Sequence, residues 1–123
     1  MKQSRPAASG LHASALCARL RHPERLLVAH PMDPVDLMPL VELVPGPATD
    51  PELVEDVRWW LQQLGRAPIV LRHEDSGNVA GRITAAVWRE CIQLVLEGVV
   101  DVKDLDRAVA LGPSLAWVAA GPQ

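Results

Sequence analysis

Phenylalanine and tyrosine are both missing from the 123 residues, so large core volume must come from Leu, Val and the four tryptophans, and buried phenol chemistry is excluded. Cysteine is scarce: Cys17 and Cys91 lie far apart with no C-x-x-C spacing, which fits a reducing compartment better than a secreted disulfide scaffold. Positive charge is not in excess. Lys plus Arg number 12 against 15 Asp plus Glu, a formal net charge of -3, so no basic footprint points to nucleic acid or an anionic membrane. No stretch approaches the roughly 18 apolar residues of a membrane span. The N-terminal segment is interrupted by His12, Arg19 and Arg21 before a signal-like core develops, and the cytoplasm is the expected location. Glycines stand at 10, 46, 65, 77, 81, 98, 112 and 121, no two of them two apart. A G-x-G-x-x-G cannot be written, which excludes a self-sufficient glycine-rich dinucleotide cradle.

What is present has a globular balance, 49% apolar and 22% charged, with 11 prolines that rule out an uninterrupted helical rod. The length allows one domain and hardly two. Met1 to Ala8 reads as a polar end, and Ala13 to Leu20 has mild helical character stopped by His22-Pro23. Leu26 to Ala29 and Leu40 to Val44 have the length and composition of buried strands. Between them Pro31, Pro34 and Pro39 stiffen a loop that must hold its side chains in a fixed arrangement. Thr49-x-x-Glu52 forms a capping box with Pro51 in the first turn. Leu53, Val57, Trp60, Leu61 and Leu64 then fall on one helical face, closed by Gly65. Ile69 to Leu71 reads as a third strand, completing the strand, strand, helix, strand order of an α/β layer.

Val79 to Glu97 predicts a second long helix, polar only along Arg82, Arg89, Gln93 and Glu97, and Asp101 to Leu111 a third, ended by Gly112-Pro113. The ten residues from Ser114 on are too few to cover so much apolar surface, which predicts an oligomer or a fragment. His12, His22 and His73 keep no metal-ligand spacing with one another or with the cysteines, so no metal site is expected. Trp59 and Trp60 are adjacent, with Trp60 on the apolar face and Trp59 turned elsewhere, suited to packing rather than base stacking because no basic groove accompanies them.

One pair of residues carries chemistry. His30 precedes the proline loop and Glu42 lies in the strand after it, so a reversal at Pro31 to Pro39 brings imidazole and carboxylate together. A carboxylate that fixes the tautomer of a histidine and supports its imidazolium makes that histidine a general base.

The stretch His30-Pro31-Met32-Asp33-Pro34, followed by Leu37-Met38-Pro39-Leu40-Val41-Glu42-Leu43-Val44, resembles the signature of the L-3-hydroxyacyl-CoA dehydrogenase family, H-x-x-N-P and then M/L-x-L-V-E-V. The likeness runs on through Pro47, Thr49, the capped helix, Gly65-Arg66-Ala67-Pro68-Ile69-Val70, Gly77 with Arg82, and Glu97-Gly98, roughly Ser9 to Gly112 in all. Pro39-Leu40-Val41-Glu42-Leu43-Val44-Pro45 and the long interval from Gly65 to Arg82 resemble the branch that holds L-gulonate 3-dehydrogenase, lambda-crystallin and carnitine dehydrogenase.

The resemblance implies NAD as cofactor and oxidation of a secondary alcohol, such as a 3-hydroxyacyl-CoA or a related hydroxy acid. His30 would take the hydroxyl proton and Glu42 would orient His30. It implies that Ser9 and Asp33, the latter in place of the family Asn, contact substrate or nicotinamide. A second family Asn is Gly81 here, and the adjacent family Phe is Asn78. The implied fold is an α/β remnant, the last strands of a Rossmann-type nucleotide domain over 1–76, followed by an all-α segment that begins the helical C-terminal domain over 77–123. No cofactor-binding residue is identifiable, since the glycine-rich motif is absent. The implied partner is a homodimer mate or a missing N-terminal half. Two alternatives stay open: a non-catalytic dimerisation or interaction module derived from the family, and a gene fragment whose nucleotide-binding half is encoded just upstream.

Overall fold

The computed structural model describes residues 12–122. They form two compact units, one running to Arg82 and one from Ile83 onward. In the first, α1 (Ala13–Cys17) and a short 3-10 turn (Pro23–Arg25) lead into β1 (Leu27–Pro31), β2 (Leu40–Pro45), α2 (Pro51–Gln63) and β3 (Ala67–Val70). The sheet order is β1-β2-β3, with β1 antiparallel and β3 parallel to β2. The antiparallel pair follows from the short proline loop, and the parallel pair from the helical crossover that α2 supplies. β1 extends two residues beyond the end at Ala29 that the sequence predicts and so includes His30.

β2 is the central strand, and Val41, Glu42, Leu43 and Val44 are all buried. Such a strand normally reads as an unbroken apolar run because both faces are covered. Here one carboxylate interrupts it. Val44 packs with Ala13 and Leu71, and Val28 joins them from β1. Gly46 is needed at the end of β2, since a Cβ there would lie 2.5 Å from Sγ of buried Cys17.

The start of α2 corrects the sequence reading by one position. Asp50, not Thr49, caps it, its carboxylate accepting the N–H of Glu52 at 2.9 Å. Thr49 is committed elsewhere: its hydroxyl donates to Leu26 O and accepts from Gly46 N–H, tying the loop to the entry of β1. The buried face of α2 also differs. The helix rests on β2 and β3 through Leu53, Val54, Val57 and Leu61, while Trp60 and Leu64 are exposed at 62% and 75%. Val54, one residue step or about 100° from Leu53, draws the stripe away from Trp60 and Leu64, which share Leu53's side of the helix.

α3 (Asn78–Leu96) begins in the first unit and continues into the second, joined there by α4 (Val102–Leu111) and α5 (Pro113–Ala120). Asp101 caps α4 by accepting the N–H of Asp104 at 2.8 Å. α5 was not expected from the sequence. Pro113 at its first position is a helix starter as well as a terminator of α4, and only the second role was read from Gly112-Pro113. Leu105 is buried, whereas Trp88, Ile92, Leu96 and Val118 are exposed. A groove of about 580 Å³ runs along this unit, lined by Val87, Trp88, Cys91, Leu105 and Val109 among others. No helix among the described residues is long and apolar enough to cross a membrane.

Candidate active site

His30 and Glu42 are direct partners in the β1–β2 register. Cross-strand neighbours on one sheet face have side chains close enough to interact, and His30 Nδ1 lies 3.3 Å from Glu42 Oε2. The loop between them is closed by local bonds. Met32 N–H donates to Leu40 O, Leu37 and Met38 N–H both donate to Pro34 O, and the Arg66 guanidinium donates to the carbonyls of Val35 and Met38. The stiff loop expected from three prolines is therefore also braced from the far end of α2.

The two members of the pair differ in environment. The Glu42 side chain is 2% exposed and that of His30 31%. A carboxylate so deeply buried requires partners, and Glu42 has them beyond the histidine: its Oε1 accepts the N–H of Val79 at 3.0 Å and of Ala80 at 2.8 Å. These are first-turn donors of α3, groups that have no acceptor within the helix, and the positive end of the helix stabilises the negative charge. One oxygen of Glu42 thus grips the start of α3 while the other faces the imidazole. With Nδ1 turned to Glu42, the opposite ring nitrogen, Nε2, is the one the carboxylate does not engage.

The other expected site residues fare differently. Asp33 sits exposed in the loop after β1, and Ser9 lies outside the described residues. Sequence reading missed the Val79 and Ala80 amides. Gly77-Asn78 ahead of an apolar run marks a helix start, but nothing in the sequence says which carboxylate meets it. Among the described residues no group of three His, Cys, Asp or Glu side chains gathers as a metal site would require.

A dinucleotide pyrophosphate in a doubly wound fold rests on a helix N-terminus. Among the described residues four helix starts already hold carboxylates: Glu74 accepts Ser14 N–H on α1, Asp50 caps α2, Glu42 grips α3 and Asp101 caps α4. Negative charge at those positions opposes a phosphate, and no glycine-rich turn is in the sequence. Among the described residues these four helix starts offer no cradle for a dinucleotide pyrophosphate.

The family described as "3-hydroxyacyl-CoA dehydrogenase, NAD binding domain" matches residues 6–75. L-carnitine dehydrogenase of Oceanobacillus iheyensis is 41% identical over 114 residues, 93% of this chain and 37% of that protein. A 3-hydroxyacyl-CoA dehydrogenase of Gibberella moniliformis is 40% identical over 115 residues, covering 93% of this chain and 36% of its own length. Among solved structures, an NAD+-dependent dismutase, 5-formyl-3-hydroxy-2-methylpyridine 4-carboxylic acid 5-dehydrogenase, superposes with a TM-score of 0.86 at 32% identity, over 94% of this chain and 37% of that one. A 3-hydroxyacyl-CoA dehydrogenase of Archaeoglobus fulgidus gives a TM-score of 0.76 at 33% identity, over 91% and 38%. The chain therefore spans little more than a third of the relatives it matches. With the matched residues taking in the buried strand, its carboxylate and the histidine across from it, the chain belongs to the NAD-binding domain family of the 3-hydroxyacyl-CoA dehydrogenases.

Proposed function

We propose that this chain carries the acid–base half of an NAD-dependent dehydrogenase acting on a secondary alcohol, a 3-hydroxyacyl-CoA or a related hydroxy acid such as L-carnitine. The observation that carries the reading is the 3.3 Å contact between His30 Nδ1 and a fully buried Glu42. In the oxidation direction His30 Nε2 accepts the proton of the substrate hydroxyl. Glu42 holds Nδ1–H and supports the imidazolium that results, without itself taking the proton. NAD, the family's cofactor, would supply the hydride acceptor when bound, with its pyrophosphate held outside the described helix starts. Ser9 and Asp33 are proposed as contacts to substrate or nicotinamide on the strength of their family positions alone.

Residues 1–76 are read as the C-terminal portion of the NAD-binding domain and 77–123 as the start of the helical domain, a division supported by a family match that ends at residue 75. The exposed apolar side chains of α3, α4 and α5 favour a homodimer built on that surface, and also sustain the alternative of an interaction module without chemistry. Two free cysteines and the absence of a spanning helix among the described residues fit a cytoplasmic setting.

The test is complementation. The chain is assayed for NAD-dependent oxidation of 3-hydroxybutyryl-CoA and L-carnitine, alone and with a relative's glycine-rich N-terminal half added in trans. Turnover is expected only in the complemented sample, falling about 10²- to 10⁴-fold with His30→Ala. Complemented turnover that His30→Ala leaves unchanged would sink the assignment of the base. Full turnover by the chain alone would overturn the claim that the cradle lies elsewhere.

A further inference from the structure

The N–H groups that hold Glu42 are delivered by a turn with an unusual backbone. Gly77 has φ +81° and Asn78 φ +51°, two successive left-handed residues where the chain enters α3, Asn78 being the first residue of the helix. Glycine enters this region freely and asparagine tolerates it, while β-branched residues are strongly disfavoured. The turn is braced at both ends. Asn78 N–H donates to Asp75 O at 3.2 Å, and the Asp75 carboxylate is paired with Arg82, one turn into the helix. The chain then enters α3 through Val79 and Ala80, whose N–H groups point at Glu42 Oε1.

We propose that Asn78, together with Gly77, is a positioning residue for the His30–Glu42 pair. The left-handed turn aims the first donors of α3 at Oε1, and with that oxygen held, the carboxylate plane is fixed so that Oε2 meets His30 Nδ1. The glutamate by itself has a rotatable terminal torsion with a broad profile, so burial alone does not choose the plane. The two amides do. His30, held through Nδ1 by Oε2, takes its ring orientation from the same grip. This inference rests on the reading of His30 and Glu42 as the acid–base pair.

Long-range ¹H–¹⁵N correlation spectra of the full 123-residue chain, taken near pH 9 where an imidazole is neutral, report which ring nitrogen of His30 carries the proton. The wild type is expected in the Nδ1–H form. Asn78→Val should give a mixture of tautomers and at least about tenfold faster exchange of the Val79 and Ala80 amides. Asn78→Gly, which keeps the left-handed turn, should match the wild type. Should the valine variant not fold, Asn78→Ala imposes a milder strain and is expected to shift the same two readouts in the same direction.

Faster exchange or a lower Tm with the His30 tautomer unchanged would make Asn78 a merely structural residue and overturn the proposal, as would a tautomer shift in Asn78→Gly equal to that in Asn78→Ala. The two ideas fail separately. If His30→Ala spares complemented turnover, the acid–base assignment falls while the tautomer result stands. If the tautomer ignores Asn78 but His30→Ala abolishes turnover, only the positioning role falls.

Discussion

Glu42 does two jobs with one carboxylate, and replacement should separate them. Glu42→Ala removes the carboxylate that accepts the part-buried N–H groups of Val79 and Ala80 and opens a space in the central strand. With about 1.5–3 kcal/mol for each hydrogen bond to a charged group, the expected loss is about 2–5 kcal/mol, read from urea denaturation midpoints at constant m. Glu42→Gln retains a carbonyl oxygen for the two amides and should cost less than half as much, yet it removes the charge that supports an imidazolium on His30. A glutamine variant as unstable as the alanine variant would show that charge at the helix start, rather than hydrogen-bond satisfaction, dominates. Part of this was open to sequence reading. A single acidic residue inside Leu40-Val41-Glu42-Leu43-Val44 is an anomaly in a strand buried on both faces, and the histidine twelve residues earlier across a proline-stiffened loop is its natural partner. The amides of α3 were not legible, because 37 residues and two intervening elements separate Glu42 from Val79.

Among the elements, α1 and the turn before α3 are joined by one side chain. Glu74 accepts Ser14 N–H at 3.0 Å, with His12 3.9 Å away. The bonds from Ser14, its side chain first and its backbone N–H next, hold the Glu74 carboxyl below the ordinary carboxylate range, with a smaller contribution from His12. A carboxyl whose pKa is depressed in the folded state adds stability that is complete above its unfolded pKa. That stability is lost as pH falls through the folded value. Thermal unfolding followed from pH 7 to pH 3 should therefore show Glu74→Gln less stable than wild type at neutral pH, with the two curves converging on the acid side. A constant gap across the whole range would mean that Glu74 acts through shape alone. The elements themselves were mostly legible, since strand and helix periodicities and the Gly65 and Gly112-Pro113 stops mark them. The cap of α2 slipped by one residue because Thr49 and Asp50 are both good N-cap residues, and a bond from Thr49 to Leu26, 23 residues away, takes the threonine out of the competition.

For the whole molecule, apolar surface is the outstanding quantity. In the second unit Trp88, Ile92 and Leu96 lie along α3 at 65%, 52% and 75% exposure, at the spacing of one helical face. Burying a large apolar side chain is worth about 1.5–3 kcal/mol, so three on one face reward association strongly. Sedimentation velocity at micromolar concentration should find a dimer that Trp88→Glu returns to monomer. A wild-type chain monomeric at all concentrations would contradict the homodimer and leave these residues to some other covering. Trp59 and Trp60 on α2 are exposed too; the apolar periodicity that placed Trp60 inward counted residues without knowing which of them the three-stranded sheet reaches.

The sequence by itself determined the family, the order of strands and helices, the pairing of His30 with Glu42 and the lack of a glycine-rich cradle, because each depends on residue types at short spacing. Tertiary structure decided what those residues do to one another. It chose which oxygen of Glu42 faces the imidazole, put carboxylates on four helix starts where a phosphate would otherwise be welcome, and turned α2 so that its tryptophans stay outside. These outcomes depend on groups far apart in the chain being packed into one place, where burial makes an unpaired charge or amide costly and so selects a single arrangement.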